Sequence, residues 1–209
     1  MTKIAKDDVL IAIDVQNDFI PGGALAVAGG DAVVPLINDL SRRFEHYVVT
    51  QDWHSPRHKS FASAHKGKEP FETATLHYGE QTLWPDHCVA GTKGAEFHPD
   101  LDLDEAELIL RKGFRPEIDS YSAFYENDRA TPTGLGGYLK ERRLKRLFLA
   151  GLATDYCVAY SALDAVKLGF AVTVIIDATR GIDLAGSMER MIAEMKAAGV
   201  ILADAATLG

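Results

Sequence analysis

Only two cysteines occur in the chain, Cys88 and Cys157, and they stand in different company. Cys157 comes just beyond the apolar run Leu147-Phe148-Leu149-Ala150 and a short turn, in the first turn of a helical pattern from Asp155 to Leu168. Unpaired amide N–H groups and the positive end of a helix dipole favour a thiolate there. Asp14 closes a second apolar run, Val9-Leu10-Ile11-Ala12-Ile13, and Lys112 follows a third, Leu108-Ile109-Leu110. An ammonium near Cys157 stabilises the thiolate further. A carboxylate can take the thiol proton and later return it to a leaving amine, which is general acid–base work. Nucleophile, base and cation together suit acyl transfer, whose developing oxyanion needs donors. The backbone N–H groups of Cys157 and of Ala153, in the turn Leu152-Ala153-Thr154, are the expected ones. Nothing marks Cys88 as activated, and it reads as packing.

A second constellation offers metal ligands. Asp52-Trp53-His54 supplies a carboxylate and an imidazole, and Trp84-Pro85-Asp86-His87-Cys88 supplies another imidazole. One carboxylate and two imidazoles suit Zn²⁺, Fe²⁺ or Mn²⁺, with waters filling the remaining positions. Asp-x-His alone is a weak signal. The crowding of His54, His58, His65, His77, His87 and His98, six of the seven histidines, strengthens it. His58 and Ser60 are candidate extra neighbours of the ion.

These groups need elements to hold them. Val9–Ile13, Tyr47–Thr50, Leu108–Leu110, Leu147–Ala150, Val172–Ile176 and Val200–Leu202 are continuous apolar or β-rich runs. Helical spacing over Asp31–His46, Asp155–Leu168 and Met188–Ala198 alternates with them. Unbroken apolar strands between helices imply an α/β fold, an open, mostly parallel six-stranded sheet with helices on both faces. Ligands bind such sheets beyond the carboxyl ends of the strands, where Asp14, Asp52, His54, Lys112 and Cys157 all stand. The stretch from about 53 to 105 lacks periodicity and is rich in breakers, but it carries both tryptophans and most of the histidines. It reads as an ordered, site-building insertion. No linker or repeat divides the chain, so residues 1–209 read as one domain.

Composition limits the partners. Hydrophobic residues make up 47 % and charged residues 25 % of the 209, with a net charge of −8 and no block of like charge. That argues against nucleic acid or an anionic membrane as a partner. No run approaches the ~18 to 20 apolar residues of a membrane span, and Met1–Asp8 holds no apolar signal core. Two unpaired cysteines fit a reducing, cytoplasmic setting. Association into a homo-oligomer is left open.

The motifs also resemble a known family. Asp14-Val15-Gln16-Asn17-Asp18-Phe19 with Gly22-Gly23 is similar to the opening signature of nicotinamidases, within the isochorismatase-like cysteine hydrolases. So are Asp52-Trp53-His54, Trp84-Pro85-Asp86-His87-Cys88, Lys112-Gly113 and Gly151-Leu152-Ala153-Thr154-Asp155-Tyr156-Cys157-Val158. The matches run in order from Val9 to about Asp177. The resemblance implies a triad of Asp14, Lys112 and Cys157, and a cis peptide between Leu152 and Ala153 that turns the Ala153 amide into the oxyanion hole. It implies metal ligands at Asp52, His54 and His87, with Zn²⁺ the leading ion, and ring-binding aromatics at Phe19, Trp84 and Tyr121. The implied reaction is hydrolysis of nicotinamide to nicotinate and ammonia in NAD salvage, with pyrazinamide as an analogue. One departure stands out: some members carry a histidine where this chain has Ser60, so water is the expected occupant of that coordination position. The competing expectations are a related cysteine hydrolase acting on another small amide, ureido or carbamoyl compound, and a non-catalytic nucleotide- or metal-binding module. Against the latter, no G-x-G-x-x-G follows the first strand and no P-loop occurs.

Overall fold

The computed structural model describes residues 2–209. Six strands form the main sheet: β1 (Asp8–Ile13), β2 (His46–Asp52), β5 (Leu108–Lys112), β6 (Arg146–Leu152), β7 (Ala171–Arg180) and β8 (Ile201–Ala203). Two more, β3 (Thr73–Leu76) and β4 (Gly79–Thr82), pair as an antiparallel hairpin inside the insertion. The sheet order is β5-β2-β1-β6-β7-β8 and every pairing within it is parallel. The order reverses direction between β1 and β6, which opens a crevice at their carboxyl ends.

The continuous apolar runs of β1, β2 and β6 are strands buried on both faces, whereas the edge strands β5 and β8 leave Ile109 and Ile201 exposed. In β1, Leu10 and Ala12 join one core while Val9, Ile11 and Ile13 join the other, the alternation that a pleated strand imposes. Helix α1 (Val34–Ser41) seals the first face with Val34, Ile37 and Leu40. Helices α2 (Leu135–Glu141), α3 (Ala159–Lys167) and α4 (Ser187–Ala197) seal the second, through Leu135 and Leu139, Ala159, Ala162 and Ala165, and Met191 and Met195. Each fully buried aliphatic side chain contributes about 1.5–3 kcal/mol, so the two seams hold the strand ends in fixed register.

Several elements differ from the sequence expectation. The helical pattern over Asp31–His46 divides into a 3₁₀ turn, Gly30–Val33, and α1, which ends at Ser41. Pro35 sits in the first turn of α1, where its missing N–H costs nothing. Phe44 continues the apolar period from beyond the helix because its ring packs on Phe148, 5.1 Å away. Helix α2 gave no sequence signal, since Gly136 and Gly137 are poor helix formers. In α3, Ala165 is buried, whereas Leu163 and Val166 pack at the edge of the core. The insertion is ordered, with the hairpin, two 3₁₀ turns and the isolated bridges His54–Val89 and Phe61–Trp84. Among the described residues, no helix is long and apolar enough to cross a membrane.

Candidate active site and metal centre

Asp14 leaves β1 with φ at +49°, in the left-handed region. A non-glycine residue is held there at a cost of about 1–3 kcal/mol, and two bonds to Thr50 of the neighbouring strand hold it. Its N–H donates to Thr50 Oγ1 at 3.2 Å, and the Thr50 hydroxyl donates to its Oδ1 at 2.7 Å. Lys112 ends β5 and is 1 % exposed. Its ammonium lies 2.7 Å from Asp14 Oδ2, 2.5 Å from Asp52 Oδ1, 2.9 Å from the Ser120 carbonyl and 3.4 Å from Cys157 Sγ. Strands β2 and β5 pair with Asp52 opposite Lys112, so the register itself sets that ion pair.

Cys157 lies one turn short of α3. Residues Thr154–Val158 form a single π-turn, and the N–H groups of Tyr156 and Val158 both return to the Ala153 carbonyl. Such turns recur at functional sites. The peptide between Leu152 and Ala153 is cis, as the resemblance implies. Ala153 and Cys157 both line the same cleft.

Burial dominates the electrostatics. It pushes the Cys157 thiol well above its usual range, and Asp14 and Asp52 add to the push against Lys112 alone. Burial and the two carboxylates therefore act against the thiolate that the helix start and Lys112 favour. Burial also raises the Asp14 carboxyl, an effect that Lys112 moderates. A carboxyl raised in this way can both accept and release a proton. Burial opposes the Lys112 charge, but Asp14 and Asp52 hold its pKa well above the ordinary lysine value. Burial would raise Asp52 too, yet Lys112, His54 and His87 hold it below the carboxylate range.

The second constellation shares Asp52 with the first. Asp52 Oδ2 is 3.4 Å from His54 Nε2 and 3.8 Å from His87 Nε2. The other ring nitrogens are committed: His54 Nδ1 donates to the Gly113 carbonyl at 2.9 Å and His87 Nδ1 to the Pro85 carbonyl at 2.8 Å. Both Nε2 lone pairs thus turn to the carboxylate, and His54 Nε2 is buried with no hydrogen-bond partner. Three such donors within 4.8 Å of one another fit a divalent cation, with the carbonyls as outer-shell anchors. Burial and the neighbouring His54 bring His87 down to about 4, leaving it as the neutral ligand form. Against burial, Asp52 raises His54, so the spot attracts positive charge. Gly113 matters here: its φ is +67°, and a Cβ would stand 2.6 Å from His54 Cε1.

His58 packs beside His54, ring centroids 4.5 Å apart. Its Nε2 donates to the Arg115 carbonyl at 2.7 Å, and its Nδ1 accepts from the Ser60 hydroxyl at 2.8 Å. Both His58 ring nitrogens are thus engaged, although His54, His58 and Asp119 form a second buried group whose ligand atoms lie within 4.8 Å of one another.

Phe19, Trp84 and Tyr121 line one cleft, as do Asp52, His87, Ala153 and Cys157. Leu25, Asp119, Tyr156 and Ile182 complete the walls; of these only Tyr156 had a sequence cue, its place in the block around Cys157. Trp84, Tyr121 and Tyr156 stand edge to face, with centroids 4.8 to 6.1 Å apart. Gln16 was also missed: its side chain caps both the N–H and the carbonyl of Asp52, at 2.7 and 2.8 Å. Its place in the Asp14-Val15-Gln16 run is the cue that was available.

A family model described as the isochorismatase domain matches residues 8–207. The chain belongs to that family. Among isochorismatase-domain relatives, it is 57 % identical over 198 residues to a nicotinamidase of Acinetobacter baylyi, covering 95 % of this chain and 92 % of that one. It is similar to the solved Acinetobacter baumannii nicotinamidase/pyrazinamidase, with a TM-score of 0.95 and 54 % identity over 97 % of this chain and 98 % of that one. It is also similar to a Pyrococcus horikoshii pyrazinamidase solved in complex with zinc, with a TM-score of 0.76 and 37 % identity over 95 % and 99 % of the two chains.

Proposed function

We propose that this isochorismatase-domain chain is a nicotinamidase, an amidase that converts nicotinamide to nicotinate and ammonia through a thioester on Cys157. The observation that carries the reading is the single ammonium of Lys112, which touches both Asp14 and Cys157, the cysteine itself lining an aromatic-walled cleft. The identity to the Acinetobacter baylyi nicotinamidase supports the choice of amide.

Asp14 takes the proton of the Cys157 thiol as sulfur attacks the carboxamide carbon. The carbonyl π-electrons move onto oxygen, which the N–H groups of Ala153 and Cys157 receive. Asp14 then gives its proton to the amide nitrogen as the C–N bond breaks, releasing ammonia and leaving the thioester. Water attacks the thioester carbon, Asp14 takes the water's proton, and the C–S bond breaks. The proton returns to sulfur, and the carboxylic acid leaves, losing its remaining proton to solvent as the nicotinate anion forms. Lys112 balances the carboxylates around this exchange and keeps Asp14 ionised when the thiol must be deprotonated. Phe19, Trp84 and Tyr121 enclose the ring. A divalent cation, Zn²⁺ in the first instance with Fe²⁺ or Mn²⁺ as alternatives, held by Asp52, His54 and His87, would supply a Lewis-acid anchor for the ring nitrogen.

The reading extends to the whole of residues 1–209 acting as one domain, working in NAD salvage in the cytoplasm, where its two free thiols stay reduced. Pyrazinamide should be an analogue substrate. The test is incubation with nicotinamide, with ammonia and nicotinate measured with and without a chelator. Release that depends on metal is expected. Turnover of ureido or carbamoyl compounds in preference to nicotinamide would overturn the assignment.

A further inference from the structure

Residues 113–134 run from β5 to α2 with no helix or strand, yet three consecutive residues of this stretch reach the site. Asp119 and Tyr121 line the cleft, and the Ser120 carbonyl accepts the Lys112 ammonium. A backbone without a ladder keeps its place through its other bonds, and many of those here converge on one side chain of the hairpin. Gln81 in β4 is 1 % exposed. Its Nε2 lies 3.0 Å from Asp119 Oδ2, 2.8 Å from the Tyr121 hydroxyl and 2.7 Å from the Thr82 carbonyl. Its Oε1 accepts from the Tyr78 hydroxyl at 2.9 Å and from Asn127 Nδ2 at 3.1 Å. Asn127 in turn accepts the Tyr121 N–H, and Tyr78 accepts the Asp119 N–H. Gln81 is thus a buried amide with every polar atom engaged, at the centre of a network whose outer members are walls of the cleft. Trp84 joins it by donating Nε1–H to the Tyr121 hydroxyl at 3.1 Å.

We propose that Gln81 is a positioning residue for substrate, and that the β3–β4 hairpin is through it a working part of the site. Its amide sets where Asp119 and the Tyr121 ring stand, and so the width of the slot in which the ring of the substrate lies. It does not touch the reacting atoms. When Gln81 changes, Lys112 keeps its ion pairs with Asp14 and Asp52, Asp14 its bonds to Thr50, and Cys157 its place after β6. Among the described residues, the Ser120 carbonyl is the one hydrogen-bond contact the triad shares with this stretch, so the larger loss falls on binding. This inference rests on the nicotinamidase reading, because it assigns the slot to a pyridine ring.

The test is Gln81→Met, which preserves side-chain length and removes every hydrogen bond. Leaving buried partners unsatisfied should raise KM for nicotinamide about tenfold, with kcat within about threefold of the parent. The rate of iodoacetamide labelling at Cys157 and the metal bound per chain should not move. If the hairpin only stabilises the fold, the melting temperature falls while KM stays, and the proposal is overturned. A fall in kcat at constant KM overturns it as well. Should Gln81→Met fail to fold, Tyr78→Phe decides, since it deletes one hydroxyl of the same network. A rise in KM of about threefold is expected there, and an unchanged KM refutes the role. The parent enzyme is assayed alongside: if it releases no ammonia the underlying reading fails, whereas an active parent with unmoved variants fails this inference alone.

Discussion

Replacing Lys112 by methionine removes a buried charge and preserves most of the side-chain volume. The ammonium it removes lies within 2.7 Å of two carboxylates and is wholly enclosed. Deleting one partner of a buried ion pair costs about 3–5 kcal/mol, because the remaining charge is left uncompensated. For a chain of this size 1 kcal/mol moves the melting point by about 2–4 °C, so the variant should melt roughly 6–20 °C lower. The loss depends on pH in a defined direction. Burial already raises Asp14, and Lys112 is the largest influence holding it down, so the variant's Asp14 rises further. A folded-state pKa above the unfolded value gives stability that is present at low pH and lost as pH rises through the folded pKa. The melting deficit should therefore be widest near pH 8 and narrow towards pH 5. Residual kcat/KM should run the other way, growing with pH, because Asp14 must be ionised to accept the thiol proton. The assay is thermal melting of chelated protein across that range, so that no bound cation replaces the missing charge, alongside a pH profile of ammonia release. A deficit under about 2 °C at pH 8, or one that widens on acidification, would refute the charge-balance argument.

Three further outcomes follow from the same geometry. Cys157→Ala should abolish ammonia release with the fold retained, while Cys88→Ala, whose Sγ meets only the Gly94 carbonyl at 4.0 Å, should stay active in the same assay. Asp14→Asn should lose at least ~10²-fold in kcat/KM, since an amide can neither take the thiol proton nor pass it to the leaving nitrogen, and activity within tenfold of the parent would redistribute the roles. Gly113→Ala drives a methyl group into the His54 ring and should weaken metal affinity about 10- to 100-fold in a competition titration with a chromophoric chelator. Unchanged affinity would detach Gly113 from the metal site.

The groups at strand ends were legible because continuous apolar runs mark buried parallel strands, and whatever polar residue closes such a run must stand at the sheet edge. Asp14 meets that condition, Lys112 meets it two residues beyond its run, and Cys157 follows its run across a short turn. The double duty of Asp52 was not legible, since it depends on the register that sets it opposite Lys112, and sequence does not state register. The influences that oppose a Cys157 thiolate were not legible, because burial and the approach of two carboxylates are set by the fold, whereas a helix start and one cation can be read from the sequence. The hairpin escaped notice because its strands are four residues each with mixed exposure, too short for a period to show. Asp119 gave no sign and Tyr156 only that of the block around Cys157, because neither closes a periodic element. Their place in the cleft comes from hydrogen bonds and ring packing made by residues distant in sequence.

The strand order also sets a timetable. Asp14, Asp52 and Lys112 end three neighbouring strands, β1, β2 and β5, all in the first half or so of the chain. Cys157 comes with β6, which docks on the opposite side of β1. In a chain synthesised from its N-terminus, the carboxylates, the ammonium and the metal ligands can be gathered before the nucleophile has been made. The last arrival is the one group able to react. Until β6 is seated the thiol has neither its base nor its oxyanion donors, so a chain in which β6 has been made but not docked carries an ordinary cysteine, and reactivity appears only once β6 is in the sheet.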